Sequence, residues 1–142
     1  ALWTVRIPVL VVPPTPLSAE PKTVAIAWNA TPQAAHALRA AVPFLQTAGR
    51  VVVLTRQGVE QDEELMAYLG AVGVTNVEWR PFGEKGLSAR GWGRALLAET
   101  GACGADMLVM GAFGTSLSNL LGFGRTTEKI CSAAKVPVLL HA

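Results

Sequence analysis

Gly111, Gly114 and Gly124 stand in the order Gly, two residues, Gly, nine residues, Gly. The first follows directly on the apolar run Met107-Leu108-Val109-Met110, and Thr126 to Ala134 beyond the last reads as a helix. A buried strand, a glycine-bearing loop and a helix start, in this order, form a cradle for an anion. Glycine lets backbone N–H groups approach a phosphate, and the helix start adds unpaired donors and the positive end of its dipole. Gly111 and Gly114 alone would signify only a tight strand end. Gly124, just ahead of the predicted helix, makes the segment a candidate phosphate loop. Its middle is apolar (Leu117, Leu120, Leu121, Phe123), which suits either a lid over a ligand or an interface patch.

The remaining polar residues offer less. His36 and His141 have no carboxylate or cysteine at useful spacing and read as bystanders. Cys103 and Cys131 fall far apart in predicted helices and read as reduced, buried thiols. Asp62-Glu63-Glu64 reads as a solvated, dipole-favoured helix start rather than a metal site. Arg90 and Trp92 either line a crevice mouth or, more simply, begin a surface helix. There is no Walker-type Gly-Lys-Ser/Thr, no paired-histidine motif and no activated nucleophile near the glycines, so the chain is not expected to be an enzyme.

The elements that must position the loop alternate between strand and helix. Val24–Trp28 is a strand, and Thr31 caps a helix that Pro32 opens. Ala34, Ala35, Leu38, Ala41, Val42 and Leu45 recur there at helical spacing, with Pro43 expected to kink the helix and Gly49 to close it. Val51–Thr55 is the next strand, Gln61–Leu69 an amphipathic helix and Val74–Arg80 an edge strand. Ser88 caps a helix running to about Ala102, and Met107–Met110 and Val136–His141 are the last strands. This alternation predicts an α/β fold, a parallel sheet with helices on both faces. Ligands of such sheets sit beyond the carboxyl ends of the strands, where strand order reverses, and Asn29 and Gly111 both lie at carboxyl ends.

The 142 residues suit one domain, and a chain 51% hydrophobic and 15% charged is globular. A net charge of +2 without any Lys/Arg cluster argues against nucleic acid as a partner. No apolar stretch is long enough to span a bilayer, so no membrane partner is expected. Residues Ala1 to Arg6 lack the charged start of a signal peptide, which makes the cytoplasm the expected location. The missing initiator Met leaves room for native sequence upstream.

Arg6-Ile7-Pro8-Val9-Leu10-Val11-Val12 repeats the pattern of Lys135-Val136-Pro137-Val138-Leu139-Leu140-His141: a base, an apolar residue, Pro, then a strand. Pro13-Pro14-Thr15-Pro16 follows the first copy as an extended linker. Residues 1–21 therefore read as the last strand of a preceding domain plus linker, and 22–142 as a complete domain. A bare Val-Leu-Leu edge at 136–141 invites pairing, either with a second protomer as a homodimer or with the strand at 7–12. An antiparallel pairing of the two similar strands is the specific expectation.

Ala105-Asp106-Met107-Leu108-Val109-Met110-Gly111-Ala112-Phe113-Gly114, the spacing to Gly124 and Val136-Pro137-Val138-Leu139 together resemble the universal stress protein family in its nucleotide-binding form. The resemblance covers Lys22 to Ala142, and the leading segment resembles the end of the first repeat in tandem members. It implies an open five-stranded parallel sheet in the order 3-2-1-4-5, helices on both faces, Rossmann-like. It implies ATP or a related adenine nucleotide between strands one and four, and domain pairing through strand five. Carried over by position, Gly111, Gly114 and Gly124 let the backbone meet phosphates and ribose, and Arg125 and Thr126 offer N–H groups at the helix start. Asn29 stands where the family has an Asp near ribose and base, and Arg56 where main-chain groups read adenine.

Two departures bear on the expected chemistry. Arg125 replaces a Ser or Thr, losing a hydrogen bond of about 1 kcal/mol. Its guanidinium can instead contact phosphate, or fold into the pocket and fill it. Asn29 keeps an acceptor but drops a charge, which weakens any Mg2+ near the phosphates more than it weakens the nucleotide. The expected role is a stress-response binding and signalling module. The alternative is a nucleotide-free scaffold or dimerisation domain with Arg125 in the phosphate site.

Overall fold

The computed structural model describes residues 7–14, 20–112 and 125–142. In chain order its elements are β1 (Val9–Val11), β2 (Thr23–Ala27), α1 (Pro32–Thr47), β3 (Arg50–Arg56), α2 (Glu63–Ala71), β4 (Val77–Phe82), α3 (Ala89–Ala102), β5 (Met107–Gly111), α4 (Arg125–Ala133) and β6 (Val138–His141). The strands lie in one six-stranded sheet in the order β1-β6-β5-β2-β3-β4. Counted from β2, this is the expected order 3-2-1-4-5, and those five strands run parallel.

The sixth strand corrects the expected count of five. β1 pairs antiparallel with β6, Val9 opposite Leu140, Leu10 opposite Leu139 and Val11 opposite Val138. The two similar strands therefore pair with one another within one chain, and the outer edge of β6 is covered.

The central strands are buried on both faces, as parallel strands between helix layers must be. Val24 through Ala27 and Val51 through Thr55 are buried throughout. Alternate residues face opposite layers. Ile26, Val53, Val109 and Leu139 join Ala37, Leu38, Leu45, Leu65 and Leu69 beneath α1 and α2. Ala25, Leu54, Leu108, Val138 and Leu140 join Leu96 and Ile130 beneath α3 and α4.

Three of the helix starts are set by side-chain caps. Thr31 accepts the Ala34 N–H at 3.2 Å ahead of Pro32, Asp62 accepts the Leu65 N–H at 3.0 Å, and Ser88 accepts the Gly91 N–H at 3.1 Å. Asp62 is thus the cap of α2 rather than part of its first turn, which moves that helix two residues past the expected start. Pro43 lies inside α1 without ending it. Gly49 does not close α1: the cap is Ala48 in extended backbone, and the Gly49 N–H bonds the Lys22 carbonyl at 2.9 Å. β4 is an edge strand as expected but begins at Val77, later than Val74. No helix among the described residues is long and apolar enough to cross a membrane.

Candidate functional site

β2 and β5 are neighbours in the middle of the sheet, yet their chains depart to opposite layers. β2 leads into α1 on one face, and α4, which follows β5, packs on the other. The crevice beyond their carboxyl ends is the switch point at which open parallel sheets hold ligands.

After β2 the chain passes Asn29 and Ala30 into the cap of α1. The Asn29 carboxamide oxygen accepts from the Thr31 hydroxyl at 2.7 Å and from the Thr31 N–H at 3.3 Å, and Thr31 in turn caps α1. The side-chain acceptor expected to face a ribose is therefore engaged in the turn, while the amide group of exposed Asn29 remains available as a donor. Ala30 between them has φ +57°, the one non-glycine residue with positive φ among the described residues. Such backbone costs an alanine about 1 kcal/mol, a strain of the kind that gathers at sites.

Gly111 at the end of β5 owes its identity to packing. A Cβ there would lie 2.6 Å from the Ala34 nitrogen, 2.8 Å from the Gln33 carbonyl carbon and 2.9 Å from the Gln33 Cβ. The first turn of α1 rests directly on this glycine, so any side chain would push helix and strand apart. Gln33 was not singled out in the sequence, where nothing distinguishes it. Its buried Oε1 has no hydrogen-bond partner among the described residues.

Arg56 closes β3 with its side chain exposed, its guanidinium carbon 5.5 Å from the Trp92 ring centre. Trp92 also lies 6.1 Å from Phe82, and its buried Nε1 has no partner among the described residues. The Arg56 carbonyl already accepts the Val59 N–H at 3.3 Å. Arg90 and Trp92 do begin a helix, α3, whose cap is Ser88, and Trp92 packs half-buried against the core beside the carboxyl end of β3. Thr55, wholly buried one residue earlier, likewise keeps a hydroxyl without a described partner.

Gly114 and Gly124 lie outside the described residues, as does the apolar middle of their loop. Arg125 and Thr126 are placed as the first two residues of α4, with the helix start the sequence required. Of the site residues named from sequence, Asn29, Arg56 and Gly111 thus stand at three neighbouring strand ends, and Arg125 and Thr126 at the α4 start.

Two features flank the crevice. Asp62 accepts the Trp28 indole N–H at 3.0 Å as well as the Leu65 N–H. The Leu65 backbone bond and then the indole bond hold its carboxyl below the ordinary carboxylate range. Beside it a cavity of about 380 Å³ opens between α1 and α2, lined by Trp28, Thr31, Arg39, Asp62 and Tyr68. At the end of β6, the His36 and His141 rings sit 5.1 Å apart, each Nδ1 within hydrogen-bond distance of the Ala142 carbonyl. The sequence treated the two histidines separately; the fold brings them together. Among the described residues no group of three or more His, Cys, Asp or Glu side chains could hold a metal. Cys103 is buried and Cys131 half-buried, both free, and burial pushes the Cys131 thiol above its ordinary value.

The universal stress protein family model matches residues 87–141. No curated protein sequence matches the chain. Among solved structures, a universal stress protein in complex with cAMP aligns over 87% of this chain and 99% of its own, at 17% identity and a TM-score of 0.64. UspA from Lactobacillus plantarum aligns over 88% of this chain and 100% of its own, at 14% identity and a TM-score of 0.61. A universal stress protein from Archaeoglobus fulgidus aligns over 84% of this chain and 43% of its own, at 19% identity and a TM-score of 0.57. The structural likenesses are likenesses of fold, and the family they represent is the one read from the glycine motif and the closing strand.

Proposed function

With the universal stress protein family as premise, we propose that the domain binds an adenine nucleotide, ATP or a close relative, beyond the carboxyl ends of β2 and β5. Binding is its biochemical work, and occupancy governs which partner the domain engages in a stress response. The observation that carries this reading is the switch point itself. Asn29, Arg56 and Gly111 stand at the carboxyl ends of β2, β3 and β5, the central three strands of the parallel run.

Further support comes from polar atoms that lack partners. The Gln33 carboxamide oxygen beside Gly111 and the Trp92 indole N–H beside Arg56 are buried without a described partner. Buried polar groups of this kind ordinarily find hydrogen bonds, and a nucleotide with ring nitrogens, an exocyclic amine and hydroxyls offers both senses. The structural neighbour in complex with cAMP is a universal stress protein, the family whose model matches residues 87–141 here. The start of α4, entered through the glycine loop, supplies main-chain donors for phosphate. Nothing in this reading calls for a reaction: the groups named hold and orient a ligand. Mg2+ enters only with the phosphates.

Calorimetric titration of the purified chain with ATP, ADP, AMP and cAMP tests the proposal. Saturable heat with at least one of them is expected, together with excess absorbance near 260 nm if the protein is purified loaded. Silence toward all four at millimolar concentration ends it. The scaffold alternative is separated by Arg125→Ser. If the guanidinium fills the site, this variant gains an affinity the native chain lacks; if nucleotide binds natively, affinity moves only a few-fold.

A further inference from the structure

α3 and α4 pack over the same face of the sheet, and a groove of about 750 Å³ lies between them. On the α3 side it is lined by Arg90, Gly93, Arg94 and Leu97, the i, i+3, i+4 and i+7 spacing of a single helix face. Glu128, Lys129 and Ile130 of α4 stand across from them. The floor is apolar: Ile130 is 1% exposed, Leu97 is half-buried, and Gly93 adds no side chain. The rim is cationic, with Arg90, Arg94 and Lys129 exposed and Glu128 the one carboxylate among the described lining residues.

Elsewhere the fold pairs its charges. Arg50 is bonded to Glu78 and Arg80 to Glu99. Among the described residues Arg90, Arg94 and Lys129 form no ion pair. Arg90 and Arg94 also stand one turn apart on α3, where like charges repel and weaken a helix. A helix that had only to cover the sheet would be better off without one of them. Cations gathered above an apolar floor match a ligand that brings the opposite pattern, carboxylates around an apolar stripe.

We propose that the α3–α4 groove is the docking site for an acidic amphipathic helix of a partner protein. The partner's apolar side chains enter over Gly93, Leu97 and Ile130, and its carboxylates meet Arg90, Arg94 and Lys129. The lengths agree. From Arg90 to Leu97 α3 rises about 10 Å, roughly two turns, the span over which a docked helix presents its i, i+3, i+4 and i+7 anchors. A second copy of this chain is a poorer occupant. Its exposed Glu63 and Glu64 open α2, but Leu65 and Leu69 of that helix are buried in their own core. An anionic membrane is poorer as well, because a flat layer of headgroups reaches the rim and leaves the floor empty. The inference does not rest on nucleotide binding, and its test contains no nucleotide.

The test titrates the full 142-residue chain into a dye-labelled synthetic helix and reads fluorescence anisotropy. The helix has about 18 residues, with Leu at i, i+3, i+4 and i+7 and Glu on the opposite face. A saturable rise is expected, weakening as salt is raised. Arg94→Glu should lower the affinity about tenfold or more. Arg39→Glu, the same change of charge on α1 over the other face of the sheet, should leave it unchanged. Both arginines are exposed, so both variants should melt with the native chain. The peptide with Ser in place of each Leu, its charge intact, should bind about tenfold more weakly or worse, because the floor is then unfilled. Absence of binding at sub-millimolar chain concentration overturns the proposal. So does an equal loss from Arg39→Glu, or equal affinity for the leucine-free peptide. Capture by phosphatidylglycerol vesicles that Arg94→Glu abolishes, with the peptide left unbound, would give the groove to a membrane and overturn it too.

Discussion

The two edges of the sheet are built on opposite plans. At β4, Glu78 and Arg80 put charge in the edge strand and Pro81 has no N–H to offer a ladder. Arg50 bonds Glu78, and Arg80 bonds Glu99 of α3, so the edge is held by ion pairs as well as by the strand beside it. At β1 the run Ile7 to Val12 carries no charge, and Ile7, Leu10 and Val12 stand exposed. Charge and proline are how an edge refuses a further strand; a short apolar strand invites one. The difference teaches that β4 is built to end the sheet, whereas β1 leaves its own edge open to a further strand. It also ranks the expected effects of disturbing each edge.

Removing β1 should do the most damage. Deleting residues 1–16 takes away three ladder pairs and the apolar contact of Val11, and it bares Val138 to Leu140. The lost burial is worth on the order of 4 kcal/mol. Thermal unfolding should shift down markedly, and light scattering should report self-association through the bared β6 edge. A monomer of unchanged melting midpoint would mean that β1 is a passenger, and the contrast between the edges would fall.

Next in size is a difference between counterparts. Leu139→Ala opens a cavity in a packed layer and should cost about 3 kcal/mol. Leu10→Ala, at the symmetric position, should cost well under 1 kcal/mol in this chain because its side chain is already partly in water. Chemical denaturation measures both. Equal costs would deny that the two strands differ in cover.

These contrasts also mark how far the sequence could be read. The strand order and the β1–β6 pairing were legible, because all-apolar strands between helices specify a parallel sheet and because the repeat announces its own partner. Positions were legible where the residue ends a run: Gly111, Asn29 and Arg56 stand at or just past three adjacent strand ends. Their local roles were not. Gly111 reads as a phosphate hinge, yet the contact that forbids a side chain comes from Gln33 and Ala34, distant in sequence. Asn29 reads as a ligand group, yet its oxygen is spent on Thr31. Gln33, Thr55 and the indole of Trp92 became conspicuous only through burial without a partner, a property that tertiary packing alone creates. The histidine pair was hidden for the same reason.

A site remote from both edges provides a yardstick. Asp62→Ala removes the α2 cap and leaves the Trp28 indole N–H without its acceptor, at a cost of about 1 kcal/mol. Its carboxyl is held below the ordinary value of 3.8, so the stabilisation is complete above that pH and fades as pH falls through the lower folded value. Melting curves of native and variant chains should differ constantly from neutrality to mildly acid pH and converge only below about pH 4. The deletion of β1, by contrast, should cost the same across that range. A pH-dependent deletion effect would show that titrating groups, rather than apolar contacts, hold β1 in place.

The smallest effect on stability is expected at β4. Arg80 bonds Glu99 at 2.5 Å, and that bond holds its guanidinium more firmly protonated than usual, but the pair lies near solvent and is screened by salt. Arg80→Val should therefore leave the melting midpoint almost where it was, and less so in low salt than in high. What should change is company. With an apolar residue in place of the charge, the β4 edge comes to resemble β1, and sedimentation should reveal concentration-dependent association that the native chain shows less strongly. A large loss of stability without association would mean that ion pairs glue β4 to the sheet instead of keeping other strands away, and the two edges would then differ in strength rather than in purpose.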